Sequence, residues 1–203
     1  MIIDQFIQIQ GRKEIVLQEG VTSCSYFYIA EDTSLDLEIL VSSPGAHLQI
    51  YGLVFGQKEM HCHTKFTLQA NAVQANVHLI SIVQENNEIQ HRGTIQIPPH
   101  FTQIESHLLE EHVMLGDHIQ ICAQPVLQIA SHDVRASHGA KIERLDEEKL
   151  LYMMSRGLSR QQSQKLILNG YITHISDQLC ASASPQEQQQ IQEILESLQT
   201  KIA

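Results

Sequence analysis

Residues 125–159 read PVLQIASHDVRASHGAKIERLDEEKLLYMMSRGLS, and the period of the stretch changes near its middle. Up to about residue 144 apolar residues alternate with polar ones, as at Leu127 and Ile129 and again at Val134 and Ala136. That period of two belongs to half-buried strands. At Leu145-Asp146 the alternation stops. Asp146 suits an N-cap, Glu147 and Glu148 would fill a first turn whose dipole favours acids, and Gly157 after Arg156 reads as a C-terminal stop. The expected organisation is a β body over residues 1–144 and a helical segment over 145–203.

Upstream, the same alternation recurs in short runs: Leu35, Leu37, Ile39 and Val41; Ala46, Leu48 and Ile50; Phe66, Leu68 and Ala70. It continues at Val77 and Leu79, Ile95 and Ile97, Val113 and Leu115, and Ile119 and Ile121. Ser43-Pro44-Gly45, Glu85-Asn86-Asn87, Pro98-Pro99 and Gly116-Asp117 separate the runs with residues suited to turn dihedrals. Such a pattern fits a sandwich, a jelly roll or a parallel β-helix equally. An internal repeat would favour the last, and the repeat here is loose.

Downstream, Ser159 with Gln162 forms a capping-box pattern, and Leu168, Ile172, Ile175 and Leu179 share one helical face. A further helix is expected from Ser184-Pro185 to the C-terminus, with Ile191, Ile194, Leu195, Leu198 and Ile202 as its apolar stripe.

Composition narrows the function classes. A formal charge of −10, with 13 scattered basic residues, supplies no phosphate-binding surface and argues against nucleic acid. Cys24, Cys62, Cys122 and Cys180 lie far apart without CxxC spacing, which excludes a zinc knuckle or a thioredoxin motif. Met1-Ile2-Ile3-Asp4 lacks the basic start of a signal peptide, and no apolar run approaches membrane-spanning length. A soluble, cytoplasmic protein is expected. GxSxG, Walker A and HExxH patterns are absent, so no enzyme class is supported.

The quoted junction resembles the signature of the SufB/SufD family of iron–sulfur cluster assembly proteins. In that family a strand pair of the type P-x-L-x-I…D-V-x-x-S-H-G-A precedes a Leu-Asp-Glu helix, a Ser-Arg-Gly-Ile/Leu-Ser turn and a second helix. Arg92-Gly93-Thr94-Ile95-Gln96-Ile97 and His107-Leu108-Leu109-Glu110 resemble its upstream strands more loosely, so the likeness covers roughly residues 60 to 180. It implies a mainly β chain, a right-handed parallel β-helix followed by a small helical segment.

The same resemblance implies a SufD-like scaffold without catalytic activity of its own. It would pair through the β-helix with a SufB- or SufD-type subunit or with itself, and its helices would dock a SufC-type ABC ATPase. A transient iron–sulfur cluster or iron is implied at the subunit interface, with nothing tightly bound. Family members are usually about twice as long and carry an N-terminal helical domain, so this chain is expected to be a shortened form. It also departs from the pattern at Ala136, where SufD-like members often have Cys.

His138 matches the family histidine proposed to face the subunit interface. Ser137 and Gly139 read as structural, Gly139 permitting a turn where the last strand leaves the β-helix, and Gly157 as the helix stop. Tyr152, Met153 and Arg156 offer a partly apolar helix surface for the ATPase. His61 and His63 would point to one strand face as two imidazoles, with Cys62 between them. A stand-alone cupin-like metal-binding β-barrel enzyme is therefore the alternative, although no glutamate follows at the cupin spacing. His112 and His118 carry no assigned role.

Overall fold

The computed structural model describes residues 2–8, 11–17, 23–30, 34–56 and 59–180, and isolated positions 189, 192, 193 and 196. Twelve strands come first: β1 (Ile2–Gln8), β2 (Gly11–Leu17), β3 (Ser23–Ala30), β4 (Ser34–Val41), β5 (His47–Gly56) and β6 (Glu59–Leu68). They continue with β7 (Gln74–Gln84), β8 (Glu88–Ile97), β9 (Ile104–Leu115), β10 (Gln120–Ala123), β11 (Val126–Ile129) and β12 (Val134–Arg144). Two helices follow, α1 (Glu147–Ser155) and α2 (Arg160–Cys180). The expected C-terminal helix lies largely outside the described residues.

Strands β1 to β10 alternate between two sheets, β1-β3-β5-β7-β9-β12 and β10-β8-β6-β4-β2; β11 follows β10 on β8 before the chain returns to the first sheet with β12. The recorded registers are parallel: Ile2 lies beside Ser23, Ser23 beside His47, His47 beside Gln74 and Gln74 beside Glu105. From β1 to β8 each strand thus pairs with the strand two places on, and β9 pairs with β12, which makes the body a parallel β-solenoid. The antiparallel barrel needed for a cupin-like enzyme is not what these residues build, because parallel neighbours require the chain to cross to the other sheet between them.

The alternation sets the core. Leu35, Leu37, Ile39 and Val41 of β4 face inward beside Cys62, Thr64, Phe66 and Leu68 of β6, and these beside His91, Gly93, Ile95 and Ile97 of β8. From the other sheet, Leu48 and Ile50 of β5 and Ala75, Val77 and Leu79 of β7 join the same cluster. Corners need left-handed backbone: Gly45 at φ 70°, Asn86 at φ 60° and Gly116 at φ 114° take it at the turns marked by composition. Ala72, His100, Gln103 and His118 adopt it too, where their residue types gave no warning.

Met1–Glu143 and Arg144–Ala203 form two compact units. In the second, Asp146 caps α1 by accepting the Glu148 and Lys149 N–H groups at 3.0 and 3.2 Å. These bonds, the one from Lys149 first, hold its carboxyl below the usual range. Ser159 and Gln162 form the reciprocal capping box: Gln162 N–H donates to Ser159 Oγ at 3.1 Å and Ser159 N–H to Gln162 Oε1 at 2.8 Å. Leu150 and Leu168 are buried.

Phe66, in β6, is the largest fully buried side chain among the described residues. Phe66→Ala is expected to cost about 3–5 kcal/mol of stability. Chemical denaturation of the two proteins measures it, and a loss below about 1 kcal/mol would contradict this inward placement.

Candidate functional site

Three places in the described residues bring reactive side chains together. The first is the outer face of the β10-β8-β6-β4 sheet. There a groove of about 480 Å³ is lined by Asp36, His61, His63, Arg92, Cys122 and Gln124, among others. His61 and His63 do share one face, because residues two apart on a strand point the same way. Each leans on its own carboxylate: His61 Nε2 lies 3.3 Å from Glu59 and His63 Nδ1 3.4 Å from Asp36. Arg92 donates to Gln124 Oε1 at 3.0 and 3.3 Å, and the Gln124 amide reaches Cys122 Sγ at 3.6 Å.

The two imidazoles acquire no third ligand that would close a metal centre with them among the described residues. Cys62, between them in sequence, points into the core. Burial first, and the charge of Glu110 second, push its thiol up to about 12. It is an inert core thiol, whereas Cys122 is exposed in the groove.

The second place is β12, the edge strand of its sheet. Its outward side chains continue those of β9: Ser137 Oγ lies 2.6 Å from His107 Nδ1, and Lys141 Nζ lies 3.1 Å from Glu111 and 2.9 Å from Glu143. Glu111 in turn meets His78 Nε2 at 2.5 Å, so β7, β9 and β12 carry one polar ladder. Those bonds, to Glu143 foremost, raise the Lys141 pKa.

His138 follows Ser137 and has the opposite, inward parity. It is nevertheless exposed, as are Ala140 and Ile142 on the same side. The other sheet ends with β10 and β11, so no strand of that sheet follows β12 among the described residues. Cys122 belongs to that other sheet and is not brought beside His138. Gly139 makes no turn: it lies inside β12 without a positive φ, 3.7 Å from Leu109 Cδ1 when given a Cβ. The turn expected there is absent because the strand runs on to Arg144.

On the helical unit, Tyr152 and Arg156 are exposed and Met153 half-buried. Arg156 stacks over the Tyr152 ring at 5.2 Å and donates to its hydroxyl at 3.2 Å. Leu151, Met154 and Leu166 are exposed as well. Gly157, at φ 95°, follows the C-cap. No helix of the described residues is long and apolar enough to cross a membrane.

The third place was not anticipated. His91, Glu110 and His112 converge in the solenoid interior. The readable signal was Glu110-x-His112 with inward parity on a strand, but the third member comes from the other sheet.

The first unit is a parallel β-solenoid, the second is helical, and His138 stands exposed on the edge strand β12. Over residues 8–171 the chain matches the family described as "SUF system FeS cluster assembly, SufBD core domain". It belongs to that family. It is 24% identical over 173 residues to the iron–sulfur cluster assembly protein SufD of Escherichia coli, an alignment covering 83% of this chain and 41% of that one. The SufD protein of Bacillus subtilis is 33% identical over 67 residues, covering 33% of this chain and 15% of the relative. An iron–sulfur cluster assembly SufBD family protein of Methanothermobacter thermautotrophicus is 24% identical over 122 residues, covering 58% and 29%. The alignments thus span well under half of these relatives' lengths.

Two outcomes test the side-chain placements. Alkylation of the folded chain near pH 8, followed by peptide mass mapping, is expected to modify Cys122 and spare Cys62 until denaturant is added; equal labelling would refute the alternation along β6. A Cβ at Gly93 would meet Glu110 Oε1 at 2.0 Å and Leu108 Cδ2 at 3.0 Å. Gly93→Ala is therefore expected to destabilise the chain by about 1–3 kcal/mol in denaturant titration.

Proposed function

We propose that the chain is a SufD-like scaffold subunit of iron–sulfur cluster assembly. In this reading it pairs through its solenoid with a second SufB- or SufD-type subunit, or a second copy, and docks a SufC-type ABC ATPase through its helices. The observation that carries the reading is the family match over residues 8–171, which takes in both the solenoid and the junction into the helices. ATP hydrolysis would belong to the partner, and the chain itself would perform no catalysis in the cytoplasm where it works.

Two surfaces support the division of labour. The β12 edge offers backbone donors and acceptors to an added strand, and edge strands of such length are a common route to association. His138 stands on it with its imidazole exposed, able to take part in holding iron or a nascent cluster as cargo shared with the partner. Ala136 supplies no thiolate beside it, so further ligands would come from elsewhere in the assembly. The helix surface of Leu151, Tyr152, Met154 and Arg156 suits a protein contact, combining apolar area with an Arg–aromatic stack.

Anaerobic co-purification of the chain with the ATPase and the other scaffold subunit from its own source tests the proposal, with iron and sulfide measured on wild type and His138→Ala. The expected result is a complex whose iron and sulfide fall at least severalfold on substitution. A chain that associates with neither partner would overturn the assignment, and unchanged iron in the variant would remove His138 from the site.

A further inference from the structure

The solenoid interior is mostly apolar, with a few buried Ser and Thr side chains, and its buried titratable side chains meet where His91 of β8 faces Glu110 and His112 of β9. One ligand atom from each lies within 4.8 Å of the other two. The residues come from opposite sheets, so the group spans the core from wall to wall. All three side chains are essentially without solvent contact.

Their polar atoms are left without ordinary partners. Both Glu110 oxygens, both His112 nitrogens and His91 Nδ1 are buried without a hydrogen bond. Buried polar atoms in native proteins are nearly always satisfied, and a carboxylate with two orphaned oxygens is among the costliest exceptions. Glu110 Oε2 is 3.9 Å from His112 Nε2, too far for a hydrogen bond between them. The His91 and His112 rings meet edge to face, their centroids 5.7 Å apart.

Two further features suit a ligand set. His91 Nε2 lies 3.4 Å from Thr64 Oγ1, a long contact that would hold the ring by one nitrogen and leave Nδ1 free, as the outer partners of metal-bound imidazoles do. Gly93, two residues along β8, opens the space that the Glu110 carboxylate occupies, since any Cβ there would strike Oε1. Burial above all lowers the His91 pKa to about 4, with His112 and His63 adding to the effect and Glu110 opposing it.

The geometry points to a buried metal site in which His91, Glu110 and His112 hold one divalent first-row ion, Fe²⁺ or Zn²⁺, inside the solenoid. Two imidazoles and one carboxylate suit ions of borderline softness, and Mg²⁺ or Ca²⁺ would ask for more oxygen. Bonds of about 2.0–2.2 Å place tetrahedral ligands about 3.3 Å apart, so Glu110 and His112, at 3.9 Å, would close by about half an ångström and the full set, within 4.8 Å, by up to about one and a half. One ion would satisfy the carboxylate and two imidazole nitrogens together. The site is distinct from His138 and does not rest on any partner.

The tag-free 203-residue chain, stripped with chelator and kept anaerobic, is titrated separately with Fe²⁺ and Zn²⁺ by equilibrium dialysis, with elemental analysis and thermal denaturation of each sample. Wild type is expected to take up about one equivalent of at least one of the two ions and to melt higher with it. Glu110→Gln, His112→Ala and His91→Gln are expected to lose at least tenfold in affinity and the thermal shift, while His47→Ala, which removes an exposed imidazole, keeps both. Circular dichroism identifies any variant that fails to fold, and a wild type that binds neither ion would overturn the site even if all three did. Failure of wild type to retain either ion, or equal retention by folded Glu110→Gln and His112→Ala, would overturn the site. Either result leaves partner binding through the edge strand untouched.

Discussion

Everything in the solenoid follows from parallel pairing between coils that all keep the same inside and outside. Cys62 lies beside Leu35 and His91, and Phe66 beside Ile39 and Ile95, so inward positions stack on inward positions along the body. A slip of one residue would move a whole strand's apolar set to solvent. The coils on either side forbid that slip, because both edges of each internal strand are already committed. Burial of Leu35, Ile39, Phe66 and Ile95, together with the ladder bonds, thus fixes where every side chain points.

That constraint also gives the two ends of the reactive chemistry different physics. His91 and His138 both have inward parity. His91 sits where both sheets are present, so burial dominates and the ring is neutral. His138 sits on the strand beyond which the second sheet does not continue, and water reaches it. The same side chain is desolvated in one coil and solvent-accessible near the next, and only its position along the solenoid decides which.

Much of this was readable from the sequence because it is local. The Asp146 cap and the Ser159–Gln162 box depend on residues two or three apart, and the alternation of Leu35 to Val41 is a property of one strand. Strand direction was not readable, since alternation defines faces and says nothing of neighbours; the resemblance to a known family supplied the parallel arrangement. The internal repeat was faint because coils lengthen along the body, as the pairs Ser23–His47, His47–Gln74 and Gln74–Glu105 make plain. Gly139 misled for a related reason: glycine marks turns, but here it fills an ordinary strand position against Leu109. The His91, Glu110 and His112 group was invisible because it forms across the core, between positions whose separation depends on the length of an intervening corner.

The interior group also bears on why such a core tolerates polarity at all. Replacing three buried polar residues by apolar ones of similar size is usually neutral or stabilising when the polar set is imperfectly satisfied. Here Gly93 gives up a side chain so that Glu110 can lie against β8, which enlarges the loss of apolar packing around the group. Thr64, also buried, uses its hydroxyl toward His91 when a valine would fill the same space. Thr64, His91, Gly93, Glu110 and His112, on three strands, thus depart from the apolar pattern around one point, while the buried hydroxyls of Thr67, Ser81 and Ser106 are smaller departures. A shared ligand would account for three titratable side chains meeting where both sheets can reach it.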